Sequence, residues 1–518
     1  MIVRLLALLT LLLAAPSAAQ PRRAEIEQAM QRATRFMVDE VAERGGYVWT
    51  WLPDRSRRWG EMEAGPGMIW VQAPGTATMG HLFLDAYHAT RDDAYYRAAA
   101  AAADALIAGQ HASGGWNYFI HFGGPEAARR WYETIGRNGW RLEEFQHYSD
   151  NATFDDAGTA EATQLLLRLF LERREPHFRA ALDRAVGFIL ASQYPNGGWP
   201  QRFPHDPRFP SYSRHLTFND DVATENVRVL VMVWQTLRDA ELVEPIRRAM
   251  HAFRLTQLAP PQAGWALQHD EELRPAAARS YEPMALATHT TAANVRELLA
   301  FYRLTGDRRF LTGIPAALDW LESVRLPAER VRDGRAFPTF VELGSNRPIT
   351  VHRRGSNVVN GAYHWDHDPA APIAHYSQTR AIDLDQLRRD YAAAAALDPE
   401  AASRDSPLRA TRPVPLPPTF IGNVAAGSDF SAAARLEPAE ILRTLNSDGW
   451  WPTPLATTSN PYAGPGPRRP VPGDYRQSQV GDASDTSPYP DRNPAMGIST
   501  ATYIANMARL IRALQERR

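Results

Sequence analysis

Two short acidic stretches stand out, because each opens an apolar helical run. The first, TFDD, spans Thr153–Asp156, and the second, TFNDD, spans Thr217–Asp221. A glutamate follows each stretch at the same offset, so that Glu161 and Glu225 repeat the spacing of 64 residues (225 − 161). Chance rarely repeats such a pattern in register. We therefore expect the two copies to contribute to one shared cation site or catalytic site.

Helix capping is the simpler explanation of the same residues. Thr-x-x-Asp before an apolar run is a capping-box pattern, which satisfies free N–H groups at a helix start. In this interpretation Thr153 and Thr217 carry the caps. Capping does not require the additional aspartate that each copy contains, Asp155 or Asp221. The pair of copies therefore favours a shared site.

Composition excludes several classes of chemistry. The chain of 518 residues has a formal net charge of −1, which predicts no general attraction to nucleic acid or membranes. It contains no cysteine, so it has no disulfide, thiolate nucleophile or cysteine-bound metal. Every basic residue is arginine, which excludes lysine as a base or Schiff-base former. A bound metal would need carboxylate, histidine or carbonyl ligands, which favours a hard cation.

The N-terminus has the pattern of a secretory signal peptide. Arg4 supplies the positive end, Leu5–Ala15 the apolar stretch, and Ser17–Ala19 a small-residue cleavage site. We expect residues 1–19 to be removed and the mature protein, beginning at Gln20, to be exported to the periplasm or beyond. No later apolar run is long enough to span a membrane.

A helix–helix–loop unit repeats along the chain. Gly75 opens the first unit and Gly158 opens the second, 83 residues later (158 − 75), and each unit ends in a Gly-Gly-Trp loop. Third and fourth units begin near Val222 and Thr291. The repeat predicts a mainly α fold, an α/α toroid of helical hairpins with irregular loops and short β segments. Corresponding helix starts then converge at one end of the ring.

We expect the toroid to occupy residues 20–365. Residues 366–518 form a Pro-rich C-terminal region, whose last helix, Thr500–Leu514, is predicted to pack back on the toroid. The tryptophans of the Gly-Trp loops, including Trp199, have two interpretations. They are platforms for sugar stacking, or they fasten each loop to a neighbouring helix.

Four motifs in order resemble the bacterial pectate lyases of polysaccharide lyase family 10. They are Tyr194–Gln201, Leu216–Asp221, Trp265–Glu282 and Gly344–Ile349. The resemblance covers roughly Asp155 to Arg354 and does not place residues after about Trp365. It implies calcium-dependent β-elimination on polygalacturonate and acidic pectic oligosaccharides, in a mostly helical fold. We expect a monomer that binds neither nucleic acid nor membranes.

The resemblance also implies roles for individual residues. Asp155 and Asp220 match the calcium ligands, Arg279 matches the proposed base that removes the C5 proton, and Arg347 matches the arginine that binds the substrate carboxylate. Asn219 and Trp199, in the same motifs, are further candidates for substrate contact. Ca²⁺ between the uronate and the two aspartates, with Arg347 beside it, would stabilise the developing enediolate.

The arginine base is chemically demanding. A guanidinium with a pKa above about 12 is almost never neutral, so Arg279 could act only if nearby cations and desolvation lowered its pKa. Each arginine also has a structural interpretation. Arg279 could pair with Glu282, and Arg347 could stabilise a surface turn.

Two other classes of function remain open. One is a catalytically inactive, exported sugar-binding protein that kept the fold. The other is a terpene-cyclase-like toroid, since Gly-Gly-Trp loops between helix pairs also occur in such enzymes, although an exported protein makes this class less favourable. Formation of unsaturated uronide from polygalacturonate, with and without a chelator, separates the three.

Overall fold

The computed structural model describes residues 21–136, 143–353, 363–370, 376–420, 436–455 and 496–516. The expected signal peptide and the Pro-rich residues 456–495 lie outside this part of the chain. None of the described helices is long and apolar enough to cross a membrane. The α-helices are α1 (Arg23–Phe36), α2 (Thr76–Thr90), α3 (Asp93–Ala108), α4 (Pro125–Thr134), α5 (Gly158–Arg173), α6 (Pro176–Ser192), α7 (Val222–Leu237), α8 (Val243–Leu255), α9 (Thr288–Thr305), α10 (Ile314–Ser323), α11 (Leu384–Ala395), α12 (Pro399–Ala402), α13 (Pro438–Thr444) and α14 (Thr500–Gln515).

Helices α2/α3, α5/α6, α7/α8 and α9/α10 form consecutive hairpins. The first helices of successive hairpins are neighbours: α2 contacts α5, and α5 contacts α7. These helices form the inner layer because they are buried on most sides, as α5 shows with buried residues along nearly its whole length. The outer helices are amphipathic. Helix α6, for example, buries Phe178, Ala181, Leu182 and Ala185 at helical spacing.

The mainly α, toroid-like fold class expected from the sequence is confirmed. Helix α14 belongs to this helical array, because it packs against both α1 and α2. The predicted division of the chain at residue 365 stays a prediction.

Short antiparallel strands lie where the inner helices begin. They are β1 (Thr50–Trp51), β2 (Arg58–Trp59), β3 (Glu63–Ala64), β4 (Met68–Trp70), β5 (Phe119–His121), β6 (Ala152–Thr153), β7 (Arg202–Phe203), β8 (Leu216–Thr217), β9 (Gln268–His269), β10 (Pro275–Ala276), β11 (Leu286–Ala287), β12 (Phe337–Pro338), β13 (Phe340–Val341), β14 (Pro348–Arg353), β15 (Tyr363–Asp366), β16 (Thr379–Arg380), β17 (Thr453–Pro454) and β18 (Met496–Ser499). Strands β4, β6 and β8 precede inner helices, and they pair with β5, β7 and β9, which follow the Gly-Trp loops. Strand β11 leads into α9 and belongs to a sheet of order β11-β13-β14-β15.

The tryptophans of the Gly-Trp loops fasten each loop to the preceding outer helix. Trp116, Trp199 and Trp265 are fully buried. Each indole Nε1 donates a hydrogen bond of 2.8 Å to a carbonyl of the helix before it. The prediction that Trp199 contacts substrate is therefore wrong for this conformation, because a ring without exposed surface cannot stack on a sugar.

A segment of the C-terminal region crosses the opposite end of the inner helices. We call residues 403–420 the C-terminal strap. Ser406 donates to the carbonyl of Leu304 in the last turn of α9, at 2.6 Å, and Val414 N donates to the carbonyl of Gln235 in the last turn of α7, at 2.7 Å. These bonds satisfy carbonyl groups that a helix end leaves free.

The strap ends on a buried ion pair between two inner helices. Arg168 Nη2 of α5 lies 2.5 Å from Asp85 Oδ1 of α2, and both side chains are almost fully buried. Phe420 N donates to both Asp85 oxygens at 2.9 and 3.0 Å. The Phe420 ring stacks on His81, with ring centroids 4.6 Å apart, and lies against the Arg168 guanidinium. Asp85 therefore joins α2, α5 and the strap.

We predict that Asp85→Ala strongly destabilises the protein. Removing the carboxylate leaves the buried Arg168 charge and the Phe420 N–H without their partner, a change that costs about 3–5 kcal/mol in buried pairs. Asp93→Ala is the matched control, because its pair with Arg173 is exposed, and it should change stability little. Chemical denaturation of both variants measures the difference. Equal midpoints for the two variants would show that the buried pair does not hold the strap.

Candidate functional site

The two acidic stretches adopt the same unusual backbone. Asp156 and Ala157 have φ of 48° and 57°, and Asp220 and Asp221 have φ of 51° and 59°. Residues other than glycine rarely adopt left-handed angles, and consecutive pairs are strained. The inner helices α5 and α7 begin immediately after these turns. Such strain, repeated at equivalent positions, is typical of a functional site.

Helix capping does not explain these residues. Neither α5 nor α7 has a side-chain hydrogen bond to its first turn. Thr153 Oγ1 donates to the Gln201 carbonyl at 3.1 Å, and Thr217 Oγ1 donates to the His215 carbonyl at 2.9 Å. The expectation that Thr153 and Thr217 carry the caps is therefore wrong, because the left-handed turns direct the chain into the helix by another path.

The twin turns bring the predicted site residues together. The Asp155 and Asp220 carboxyl groups lie within hydrogen-bonding distance of each other. Arg279 Nη2 lies 2.6 Å from Asp220 Oδ2, and Arg279 Nη1 lies 3.5 Å from Asp155 Oδ2. Three residues from separate motifs thus form one buried cluster, which we call the acidic centre.

Asp155 and Asp220 experience different surroundings. Burial acts to raise the pKa of Asp155, but Arg279 and hydrogen bonds from Asp220, Tyr118 and Gln201 lower it below its ordinary value. Tyr118 donates to Asp155 Oδ2 at 2.5 Å. Burial raises the pKa of Asp220 well above its ordinary value, and the Asp155 charge raises it further. The two aspartates thus have pKa values shifted in opposite directions, with Asp155 favoured as the ionised member.

Glu282 and Tyr376 fix the Arg279 side chain. Arg279 Nε and Nη2 donate to the two Glu282 oxygens at 3.0 and 2.8 Å, and Nη2 also donates to Tyr376 Oη at 2.9 Å. The guanidinium lies over the Tyr281 ring at 5.2 Å. Burial acts to lower the pKa of Arg279, but the charges of Glu282 and Asp220 contribute to raising it well above the ordinary value. The ion pair with Glu282 considered from the sequence is present.

Asn219 connects these groups. Its Nδ2 lies 2.8 Å from oxygens of Asp220 and Glu282 and 2.9 Å from Tyr376 Oη. Asn219 occupies the position that corresponds to Asp155 in the first copy, so the two copies differ in charge at one position. Its role in substrate contact stays a prediction.

The first repeat unit also contributes to the centre, which the sequence did not predict. Gln72 lies 83 residues before Asp155 (155 − 72), at the position expected to carry no carboxylate. Its Nε2 donates to Asp156 and, at 2.9 Å, to Glu61 Oε2. Burial and the neighbouring Glu144 raise the pKa of Glu61 to about 8, although the Gln72 hydrogen bond opposes this shift. The repeat spacing identifies Gln72, whereas no pattern identifies Glu61.

Glu144 is another buried acid that the sequence did not predict. Glu144 Oε1 lies 3.6 Å from Arg279 Nη1, and Tyr281 Oη donates to Glu144 Oε2 at 3.3 Å. Burial raises the pKa of Glu144 to about 7, with Arg279 opposing and Asp155 assisting this shift. The residue follows α4 in an irregular segment without a recognisable motif.

Arg347 lies on an exposed turn between β13 and β14. Its backbone N donates to Ser345 Oγ at 3.2 Å, and its carbonyl accepts a hydrogen bond from Glu342 N at 2.9 Å. Its side chain makes no ion pair with the acidic centre in the described part of the chain. Binding of a substrate carboxylate by Arg347 stays a prediction.

The ligand chemistry of the centre suits a hard cation only in part. Asp155 and Asp220 offer carboxylate oxygens, the ligand type that a hard divalent cation prefers. Among the described residues, however, no three acidic or histidine side chains are arranged to hold a metal ion. The two aspartates thus fit Ca²⁺ as part of a coordination shell.

Comparisons with known proteins agree with the sequence motifs. The family model described as pectic acid lyase matches residues 128–364. No similar sequence was found among the curated proteins. A variant of the family 10 polysaccharide lyase from Cellvibrio cellulosa, solved with trigalacturonic acid, is 15% identical with a TM-score of 0.41, covering 62% of this chain and 99% of its own.

Two further solved structures cover most of the chain. An alpha-1,6-mannanase from Salegentibacter sp. is 9% identical with a TM-score of 0.39, and it covers 96% of this chain and 99% of its own. The type II terpene cyclase from Scytonema is 14% identical with a TM-score of 0.30, over 96% and 99% of the two chains. Similarity this low does not assign an activity. The segment that matches the pectic acid lyase family model, residues 128–364, carries the twin aspartates and Arg279.

Proposed function

We propose that this protein is an exported pectate lyase, which cleaves polygalacturonate by calcium-dependent anti-β-elimination and releases 4,5-unsaturated oligogalacturonides. One observation carries the proposal: two aspartates from successive repeat units meet at a buried arginine, inside the segment that matches the pectic acid lyase family. The match to the pectic acid lyase family model supports the polysaccharide lyase class, and the calcium requirement and the product are proposals.

The acidic centre is suited to binding a cation together with a uronate. A uronate carboxylate alone would be repelled by Asp155 and Asp220. Asp155 and Asp220 would hold a Ca²⁺ ion, and its positive charge would withdraw electrons from the uronate carboxylate and make the neighbouring C5 proton more acidic. Asp155 stays ionised through its hydrogen bonds from Tyr118 and Gln201, so one ligand is already in its charged form.

Arg279 needs a change in its surroundings before it can accept a proton. In this structure its pKa is raised, with the charges of Glu282 and Asp220 among the causes. Neutralising the charge on Asp220 and Asp155 would remove part of that effect, and exclusion of water would act in the same direction. Until then Arg279 acts as a fixed positive charge beside the substrate carboxylate. The base role therefore predicts dependence on both calcium and alkaline pH.

The site argues against the terpene-cyclase alternative. Such chemistry needs an apolar cavity, whereas this centre contains a buried guanidinium surrounded by carboxyl groups. The alternative of an inactive sugar-binding protein predicts binding without turnover, so an assay for unsaturated product distinguishes it from a lyase.

We predict that polygalacturonate yields unsaturated uronides, followed by their ultraviolet absorbance, and that a chelator abolishes this activity. Asp155→Asn and Asp220→Asn should each lower kcat/KM at least about a hundredfold, because they remove the ligand charge while keeping the side-chain shape. Asp183→Asn is the control, since Asp183 pairs with Arg179 on the outer helix α6.

Full activity in chelator would exclude the calcium requirement. Near-normal turnover by both aspartate variants, together with normal turnover by the control, would remove them from the site. No unsaturated product from the wild type at any calcium concentration would favour the sugar-binding alternative.

We predict that Arg279→Lys loses turnover over several orders of magnitude while substrate binding is largely retained. The substitution keeps the charge but removes the planar group that contacts Glu282 and Asp220. Tyr376→Phe, which removes only one hydroxyl from the same cluster, should have a much smaller effect. Wild-type activity should rise toward alkaline pH at saturating calcium. Robust turnover by Arg279→Ala at neutral pH would rule out the base role.

We predict that Glu61→Gln reduces the pH dependence of stability in chelator. The pKa of Glu61 rises from 4.5 to about 8 in the folded protein, so the folded state keeps a proton that the unfolded state releases. Stability therefore falls as pH increases from about 4.5 to about 8. The glutamine side chain of the variant has no proton to release, so this fall in stability should be absent from it. Glu322→Gln, on an exposed pair with Arg325, should keep the wild-type slope. Denaturation midpoints measured across this pH range give the slope of stability against pH for each protein. Identical slopes for the wild type and both variants would contradict the raised pKa of Glu61.

A further inference from the structure

We infer that Trp365 forms an outer sugar-binding position, where its indole stacks on a galacturonate unit away from the cleaved bond. This inference rests on the proposed function and names a residue outside the segment that carries the family motifs. Trp365 is one of the few large apolar side chains that are exposed among the described residues, with 47% of its surface accessible.

Strand pairing places Trp365 on a defined face of the sheet. In the antiparallel pair of β14 and β15, Trp365 lies opposite Val351, and Tyr363 lies opposite Arg353. Directly opposite residues point to the same face, and so do residues two positions apart. Trp365 therefore shares a face with Val351, Ile349 and Tyr363.

That face packs against the loop that carries Arg279. Ile349 and Val351 belong to a small apolar cluster with Tyr281, and Tyr363 packs against it. The Tyr281 and Tyr363 ring centroids are 5.5 Å apart, and Tyr281 lies under the Arg279 guanidinium. A continuous path thus leads from Arg279 through two tyrosines to the strand position of Trp365.

Trp365 differs from these tyrosines in its accessibility. Tyr281 is 1% exposed and supports the arginine from within, whereas Trp365 lies on β15, the edge strand of the sheet. An indole on an edge strand offers a flat apolar surface for the C–H face of a sugar ring, while buried indoles such as Trp199 offer none.

Charge next to the same sheet favours an acidic sugar. Arg347 lies in the exposed turn immediately before β14, the strand in which Val351 pairs with Trp365. Arg347 and Val351 are four positions apart, a distance of about 13 Å in extended backbone. A polygalacturonate chain that passes over Trp365 toward Arg347 would meet an aromatic surface and then a guanidinium for its carboxylate.

The inference is tested by substrate length. Trp365→Ala should raise KM about tenfold on polygalacturonate and long oligogalacturonides, with kcat unchanged, and should alter trigalacturonate kinetics little. Trp365→Phe keeps an aromatic ring and should recover much of the loss. Trp450→Ala is the matched control, because Trp450 stacks on Phe36 of α1, and it should leave KM unchanged. Thermal unfolding of each variant checks the fold.

Several outcomes would overturn the inference. If the wild type is active and Trp365→Ala has the same KM as the wild type at every substrate length, Trp365 is not a sugar-binding position, while the proposed function stands. An equal loss at all lengths, trigalacturonate included, also excludes an outer position. If the wild type forms no unsaturated product, the proposed function fails. The migration of the protein in native gels that contain polygalacturonate then tests whether Trp365 binds the polysaccharide. Retardation of wild type but not of Trp365→Ala supports the binding position, and equal behaviour of the two overturns it.

Discussion

Burial of several carboxyl groups around a single guanidinium is the constraint on which the site depends. Carboxylates removed from water repel one another, so each must hold a proton, gain hydrogen bonds or share a cation. Arg279 supplies the positive charge at their centre, and neutral donors such as Tyr118 and Gln72 contribute hydrogen bonds. The remaining excess of negative charge appears as raised pKa values. This excess of negative charge is the reason why we propose that the centre binds a divalent cation. The acidic groups that interact with Arg279 are Glu61, Glu144, Asp155, Asp156, Asp220 and Glu282.

The repeated architecture explains how such a centre can be assembled. The first three units each contribute a residue just before their inner helix, and contacts between adjacent inner helices bring these positions together. The equivalent residues are Gln72, Asp155 and Asn219, which are a neutral donor, an acid and another neutral donor. Gln72 and Asn219 both donate to neighbouring acids. The repeat thus determines the positions, and the residue type at each position determines the local charge.

The sequence predicted the parts of this arrangement that repeat or belong to motifs. The helical hairpins and the convergence of their starts follow from periodic spacing, whereas the resemblance to pectate lyases placed Arg279 with Asp155 and Asp220. Glu144 and Tyr376 escaped prediction because they come from irregular segments, whose positions depend on long-range packing. Capping was a wrong interpretation because TFDD encodes a left-handed turn as readily as a capping box. No local pattern separates the two.

The C-terminal region acts at both ends of the inner helices. At the helix starts, Tyr376 bonds to Arg279, and at the far ends Phe420 bonds to Asp85. Helices α2 and α5 therefore have their positions fixed at one end by the ion pair of Asp85 with Arg168, while residues before their first turns form the acidic centre. A rotation of α5 would move the turn before it, and with that turn Asp155, relative to Arg279. Because interiors are close-packed, the strap restrains such rotation at a distance from the site. The region after residue 365 therefore contributes to the geometry of the centre, although the family motifs end before it.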